Sequence, residues 1–139
     1  MKVYAGDSFV ADFGTDGFHL WVVVSDPFKN DKEVLIVNLT SVKGRYTDPA
    51  CLVAVGDHPW VNKPSYVEYY EAQIHTDAYL DRRHSARSVT PWQPVSDSLL
   101  ERIRLGATST QNLHGDHLQL LQDQGLIPPP PPPPPVPNP

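Results

Sequence analysis

Apolar positions in the first half of the chain come in short clusters separated by polar turn residues. Ser8–Phe13 (SFVADF) partly alternates, and Gly14–Gly17 (GTDG) supplies turn chemistry after it. His19–Ser25 (HLWVVVS) holds a continuous apolar run from Leu20 to Val24. Val34–Val42 (VLIVNLTSV) is apolar and β-branched, the composition that suits a pleated, buried surface. Cys51–Val55 (CLVAV) is a further short strand. Ser65–Ile74 alternates: Tyr66, Glu68, Tyr70, Ala72 and Ile74 face one way, and Val67, Tyr69, Glu71 and Gln73 the other. Its Glu and Ala residues are helix formers, but three tyrosines and a valine favour a strand. Five short strands, some apolar on both faces, predict a small, strongly bent antiparallel barrel packed on two sides.

The period changes in the second half. Asp77–Arg87 reads as a short helix or a polar loop. Val95–Ala107 (VSDSLLERIRLGA) reads as a helix. Ser96 is placed to cap it, with Val95 and Leu100 as a hydrophobic staple; Ser98 with Glu101 is the alternative capping box. Leu99, Leu100, Ile103 and Ala107 form its apolar stripe, and Gly106 is expected near its end. A last helix within Asp116–Gly125 ends at Gly125, with Leu121 and Leu126 at the positions that meet in a Schellman cap. Pro128–Pro135 is an unbroken proline run, which enters neither helix nor sheet and extends as a polyproline II rod. It is either a solvated tail or a ligand for an aromatic-lined groove.

Composition narrows the function classes. The chain has 139 residues, enough for a modest core without staples. A net charge of -5 gives no broad pull on nucleic acid, so any such site has to be a local patch. The single cysteine, Cys51, excludes an internal disulfide and the usual cysteine metal patterns; it reads as a buried small hydrophobe. His114 and His117 share a helical face but lack the carboxylate-rich setting of a metal site. No metal or cofactor is called for. No apolar stretch approaches the ~20 residues needed to span a bilayer, and no signal peptide is recognisable. The expectation is a soluble cytoplasmic protein with no membrane association.

The segments GDSFVADF, HLWVVVS and VLIVNLTS, in that order, resemble the opening of the PemK/MazF-like toxins, small endoribonucleases of bacterial type II toxin–antitoxin systems. Gly6-Asp7, Gly14 and Gly17, Val22-Val23-Val24-Ser25 and Leu39-Thr40-Ser41 carry the likeness, which covers roughly residues 6–75. The family's Arg-Pro pair, whose arginine helps carry catalysis, falls on His19-Leu20. The resemblance implies a mainly β fold with C-terminal helices (α+β), built on a small SH3-like antiparallel barrel. The expected division is 1–110 for the barrel with its appended helix, 111–127 for a short C-terminal helix and 128–139 for the extended proline tail. The resemblance also implies single-stranded RNA as substrate, a cognate antitoxin protein as partner, and a homodimer.

Metal-free RNA cleavage uses the neighbouring 2′-OH as nucleophile. It needs a base for that proton, an acid for the leaving 5′-oxygen, and donors or cations for the phosphate. Histidine suits the acid and base roles. His19 and His58, with Thr40, are therefore the candidate catalytic residues. Ser41, Lys43, Arg45, Trp60, Ser65 and Tyr66 are the candidates for binding phosphate or stacking a base. The stretch Gly56–Tyr70 (GDHPWVNKPSYVEYY) reads as a barrel corner first and a contributor to the site second. The competing reading is a non-catalytic SH3-like interaction module, its aromatic strands forming a binding groove or dimer face.

Overall fold

A computed structural model describes residues 2–29, 33–44, 46–129 and 132–138. Six strands form one antiparallel sheet: β1 (Ser8–Ala11), β2 (His19–Val23), β3 (Glu33–Ser41), β4 (Leu52–Val53), β5 (Ser65–Thr76) and β6 (Val89–Trp92). Their order across the sheet is β4-β5-β3-β2-β1-β6. Three helices, α1 (Asp77–Ser85), α2 (Asp97–Ser109) and α3 (Gly115–Asp123), complete the α+β fold. The sheet curls into a half-barrel.

Five of the strands follow the sequence pattern; β6 is additional. Its sequence, VTPW, carries a proline that reads as a strand breaker. Here Pro91 pairs with Phe9 on the outermost strand, where a missing N–H leaves no ladder bond unmade. β4 and β6, the two edge strands, are not paired to each other. The corner after β4 bridges them instead. His58 Nε2 lies 2.8 Å from the carbonyl oxygen of Gln93, just past β6, and 3.1 Å from Ser8 Oγ on β1. The ends of the curled sheet are thus joined by a side chain.

Both faces of the sheet are covered. On one, Leu20, Val22, Leu35, Val37, Leu39 and Val67 pack against Leu99 and Ile103 of α2 and Leu121 of α3. On the other, Phe9, Ala11, Trp21, Val23, Val34 and Ile36 pack with Leu80 of α1. Two-sided burial explains the unbroken apolar runs of β2 and β3. Cys51 is buried in the first layer, and burial pushes its thiol above the ordinary range.

Local signals set the helix ends. The Tyr79 N–H donates to Thr76 Oγ1 (3.1 Å) to start α1, and the Leu99 N–H donates to Ser96 Oγ (3.1 Å) to start α2. After α3, Gly125 takes φ 72°. The Leu126 N–H then reaches the Leu121 carbonyl (3.0 Å) and the Gly125 N–H the Gln122 carbonyl (2.9 Å), the paired bonds of a Schellman cap. Gly106 departs from expectation: α2 runs on to Ser109, and the glycine sits inside it. A Cβ there would overlap the Tyr69 hydroxyl and come within 2.9 Å of the Ala50 carbonyl oxygen. Close approach of α2 to β5, and not helix termination, is what requires glycine.

The pairing of β3 with β5 is irregular at one point. Between Ile36 and Asn38 the register slips: Ile36 faces Gln73, while Asn38 faces Glu68. The extra β5 residues break strict alternation along that strand.

Candidate active site

On β2 and β3, Leu20 lies opposite Leu39. One step further along each strand sets His19 opposite Thr40, where β2 begins and β3 nears its end. Tyr66 of β5 lies across from Thr40 on the other side. These side chains share the face that carries Trp21 and Ile36 deeper in the sheet. Under α1 that face is apolar and sealed. At this end it turns polar and opens into a cleft of about 570 Å³.

The polar groups on its floor are held in a definite arrangement. His19 Nδ1 lies 3.2 Å from the Leu39 carbonyl oxygen, and Nε2 lies 3.1 Å from that of Asp16. A neutral ring has one N–H and fills one of these contacts; the cation fills both. Thr40 Oγ1 donates to Asn38 Oδ1 (2.8 Å), and Asn38 Nδ2 donates to Glu71 Oε1 (3.3 Å). The hydroxyl hydrogen of Thr40 is therefore directed inward, leaving its lone pairs for a donor in the cleft. The Tyr66 hydroxyl donates to Glu68 Oε2 (3.1 Å), and the Tyr70 N–H to Glu68 Oε1 (3.3 Å).

The rim is aromatic and acidic. Phe18, Tyr46, Trp60 and Tyr70 line it together with Ser41 and Lys43. Among the described residues, the carboxylates of Asp16, Glu68 and Glu71 stand against one lysine, Lys43. No three His, Cys, Asp or Glu side chains among those residues are grouped to hold a metal ion.

Six of the candidates from the sequence meet here: His19, Thr40, Ser41, Lys43, Trp60 and Tyr66. Two lie elsewhere. His58 is buried at 2% exposure, and both its nitrogens are engaged: Nδ1 accepts from the Trp60 N–H (3.0 Å), and Nε2 faces Gln93 and Ser8. It is the latch between the sheet's ends and does not line the cleft. Ser65 is also buried, donating to the Lys63 carbonyl (2.9 Å); strand alternation turns it away from Tyr66. Arg45 falls outside the described residues.

Sequence reasoning missed Asn38, Glu68 and Glu71. Asn38 left a visible signal, as the one amide in an otherwise apolar strand. Glu71 left none, because alternation assigns it to the face opposite Glu68. The register slip in β5 brings both carboxylates to one cleft.

No family model matches the chain, and no curated protein does. A solved structure, an endoribonuclease in complex with its cognate antitoxin from Mycobacterial species, matches with a TM-score of 0.51. The likeness covers 92% of this chain and 100% of that one, at 21% identity. The two chains share a fold. In this chain that fold leaves one polar, open end on a sheet face otherwise sealed, and the cleft occupies it.

Proposed function

We propose that the chain is a toxin-type endoribonuclease that cleaves single-stranded RNA without a metal ion and is neutralised by a cognate antitoxin protein. The observation that carries this reading is that His19 and Thr40 both line one open, aromatic-rimmed cleft. The fold shared with a solved endoribonuclease supports it, as does the antitoxin in that complex.

In the proposed reaction the 2′-oxygen attacks the adjacent phosphorus and the bond to the 5′-oxygen breaks. The products are a 2′,3′-cyclic phosphate and a free 5′-hydroxyl. Thr40, with its own hydrogen held by Asn38, accepts from the 2′-OH in the bound substrate and orients it, and that hydrogen turns to Glu71 as the attack begins. Glu71 takes the proton; Asn38 steadies its Oε1. His19 returns a proton to the leaving oxygen, giving up its contact with the Asp16 carbonyl to do so, and it stands where the resembling toxins have arginine. Ser41 and Lys43 hold the phosphate, and Trp60 and Tyr70 stack the flanking bases, each stack contributing about 1–3 kcal/mol. Single-stranded RNA suits this cleft because only exposed bases can stack on its rim. A homodimer acting in the cytoplasm belongs to the same reading. No helix among the described residues is long and apolar enough to cross a membrane.

The test is direct. Purified protein in EDTA, given single-stranded RNA, should yield fragments ending in 2′,3′-cyclic phosphate, and His19→Ala should not. Intact RNA after incubation with folded wild-type protein, across pH 5 to 9, would remove the proposal.

A further inference from the structure

The cleft has a second fitting ligand, and the chain carries it. We propose that Pro132–Pro137 (PPPPVP) of one molecule docks in the aromatic cleft of a second copy, so that the protein associates through its own tail. The inference does not rest on the ribonuclease reading.

Residues 132–138 are exposed and belong to no helix or strand, and Val136 is 88% exposed. A polyproline II rod makes no internal hydrogen bonds, so every carbonyl is open to a donor. Proline is already rigid, so little ordering entropy is lost on docking. Aromatic grooves recognise such rods through ring faces and a few N–H or O–H donors. The cleft supplies the rings of Phe18, Tyr46, Trp60 and Tyr70. Trp60 is half-buried, with its side chain at the cleft wall.

Charge separates this ligand from a phosphodiester. Pro132–Pro137 carries no charge and meets no repulsion from Asp16, Glu68 and Glu71, whereas a phosphodiester depends on Lys43 to offset them. Geometry selects a second copy over the chain's own cleft. The tail leaves past Ile127, which packs with α2 and α3 on one face of the sheet. The floor residues His19 and Thr40 lie on the other face by strand alternation, while Leu39 and Trp60 of the lining go with the first. A stiff rod over Pro132–Pro137, rising about 3.1 Å per residue, does not fold back on itself.

The experiment uses the full-length chain with Pro132–Pro137 replaced by Gly and Ser, labelled with ¹⁵N. A synthetic peptide with the sequence of residues 127–139 is titrated in while the three tryptophan indole signals are followed. Saturable movement of the Trp60 signal is expected, with Trp21 unmoved because it is buried and donates to the Ala11 carbonyl. Trp60→Ala should reduce binding at least tenfold, with an unchanged Trp21 signal showing that the variant is folded; Trp60→Phe should keep part of it. The wild-type chain should show growth of sedimentation mass with concentration beyond any dimer formed without the tail, and the Gly/Ser-tail chain should lose that further growth. The proposal is overturned by a Trp60 signal that stays still at millimolar peptide, by movement of Trp92 alone, by equal binding of a Gly/Ser peptide, or by wild-type mass that does not depend on the tail. RNA in the same cleft would compete with the tail for Trp60 and Tyr70, so cleavage is measured separately, on the Gly/Ser-tail chain.

Discussion

His19 and His58 answer to the same chemistry in the sequence and to opposite chemistry in the fold. Both stand beside turns, and both offer an imidazole to a small barrel. His58 has protein on every side: an N–H on Nδ1, a carbonyl and a hydroxyl at Nε2, and 2% exposure. His19 is half-buried, rests on two carbonyl oxygens and faces about 570 Å³ of open space. Both rings have protein partners at each nitrogen, so exposure is what separates them: a ring sealed on every side holds the protein together. One held from beneath, with room in front, can act on something else.

The sharpest way to break this contrast is to remove each ring in turn. His19→Ala should reduce RNA cleavage by about 10²- to 10⁴-fold, the range for a lost general acid, while the melting temperature stays near that of wild type. His58→Ala should do the reverse. It strands the Trp60 N–H and the Gln93 carbonyl, and a stability loss of about 1–3 kcal/mol is expected from denaturant midpoints. Its activity per folded molecule should be retained. Activity tracking His58 and stability tracking His19 would invert the assignment.

A second contrast lies between glycines. In an open helix interior, glycine to alanine raises stability by about 1 kcal/mol. Gly106→Ala should instead lower it by about 1–3 kcal/mol, as overpacking does, because the new methyl meets Tyr69 and the Ala50 backbone. Gly115, with open space around it, should respond mildly to the same change. Equal melting temperatures for the two variants would show that α2 does not sit this close to β5.

The smallest effect concerns a third histidine. His75 is held below its ordinary value of 6.5, first by burial and then by the charge of Arg83. It stacks on Tyr79 at 4.5 Å. His117 is lowered too, mainly by burial. The unfolded chain therefore binds more protons than the folded one as the pH falls below about 7. This stabilising contribution is complete above that range. It declines as the pH drops through 6.5, and the decline levels off below the folded-state value. His75→Gln should flatten the slope of melting temperature against pH between 7 and 5; an unchanged slope would contradict the assignment.

The sequence carried much of the fold because burial leaves a period behind. The apolar runs of β2 and β3 reported a sheet covered on both faces, and Leu121, Gly125 and Leu126 reported a helix end. What it hid were places where two distant segments decide a residue's job. Pro91 hides β6 because proline discourages a strand until an edge makes its missing N–H harmless. Gly106 looks like a terminator because its true neighbours, Tyr69 and Ala50, are far away in sequence. Of the cleft, the row His19, Thr40 and Tyr66 was legible from strand ends and alternation. Glu71 was not, since a slip in pairing register belongs to two strands at once. His58 was misplaced for the same reason: its partners, Ser8 and Gln93, lie 50 and 35 residues away.

The decisive experiment is a side-by-side rate measurement. Wild-type, His19→Ala and His58→Ala proteins are each corrected for folded fraction and given the same single-stranded RNA in EDTA. A 2′,3′-cyclic phosphate product is expected from the wild-type and His58→Ala proteins at comparable rates, with a loss of at least a hundredfold for His19→Ala. Equal rates for wild type and His19→Ala would mean that the cleft histidine does no chemistry.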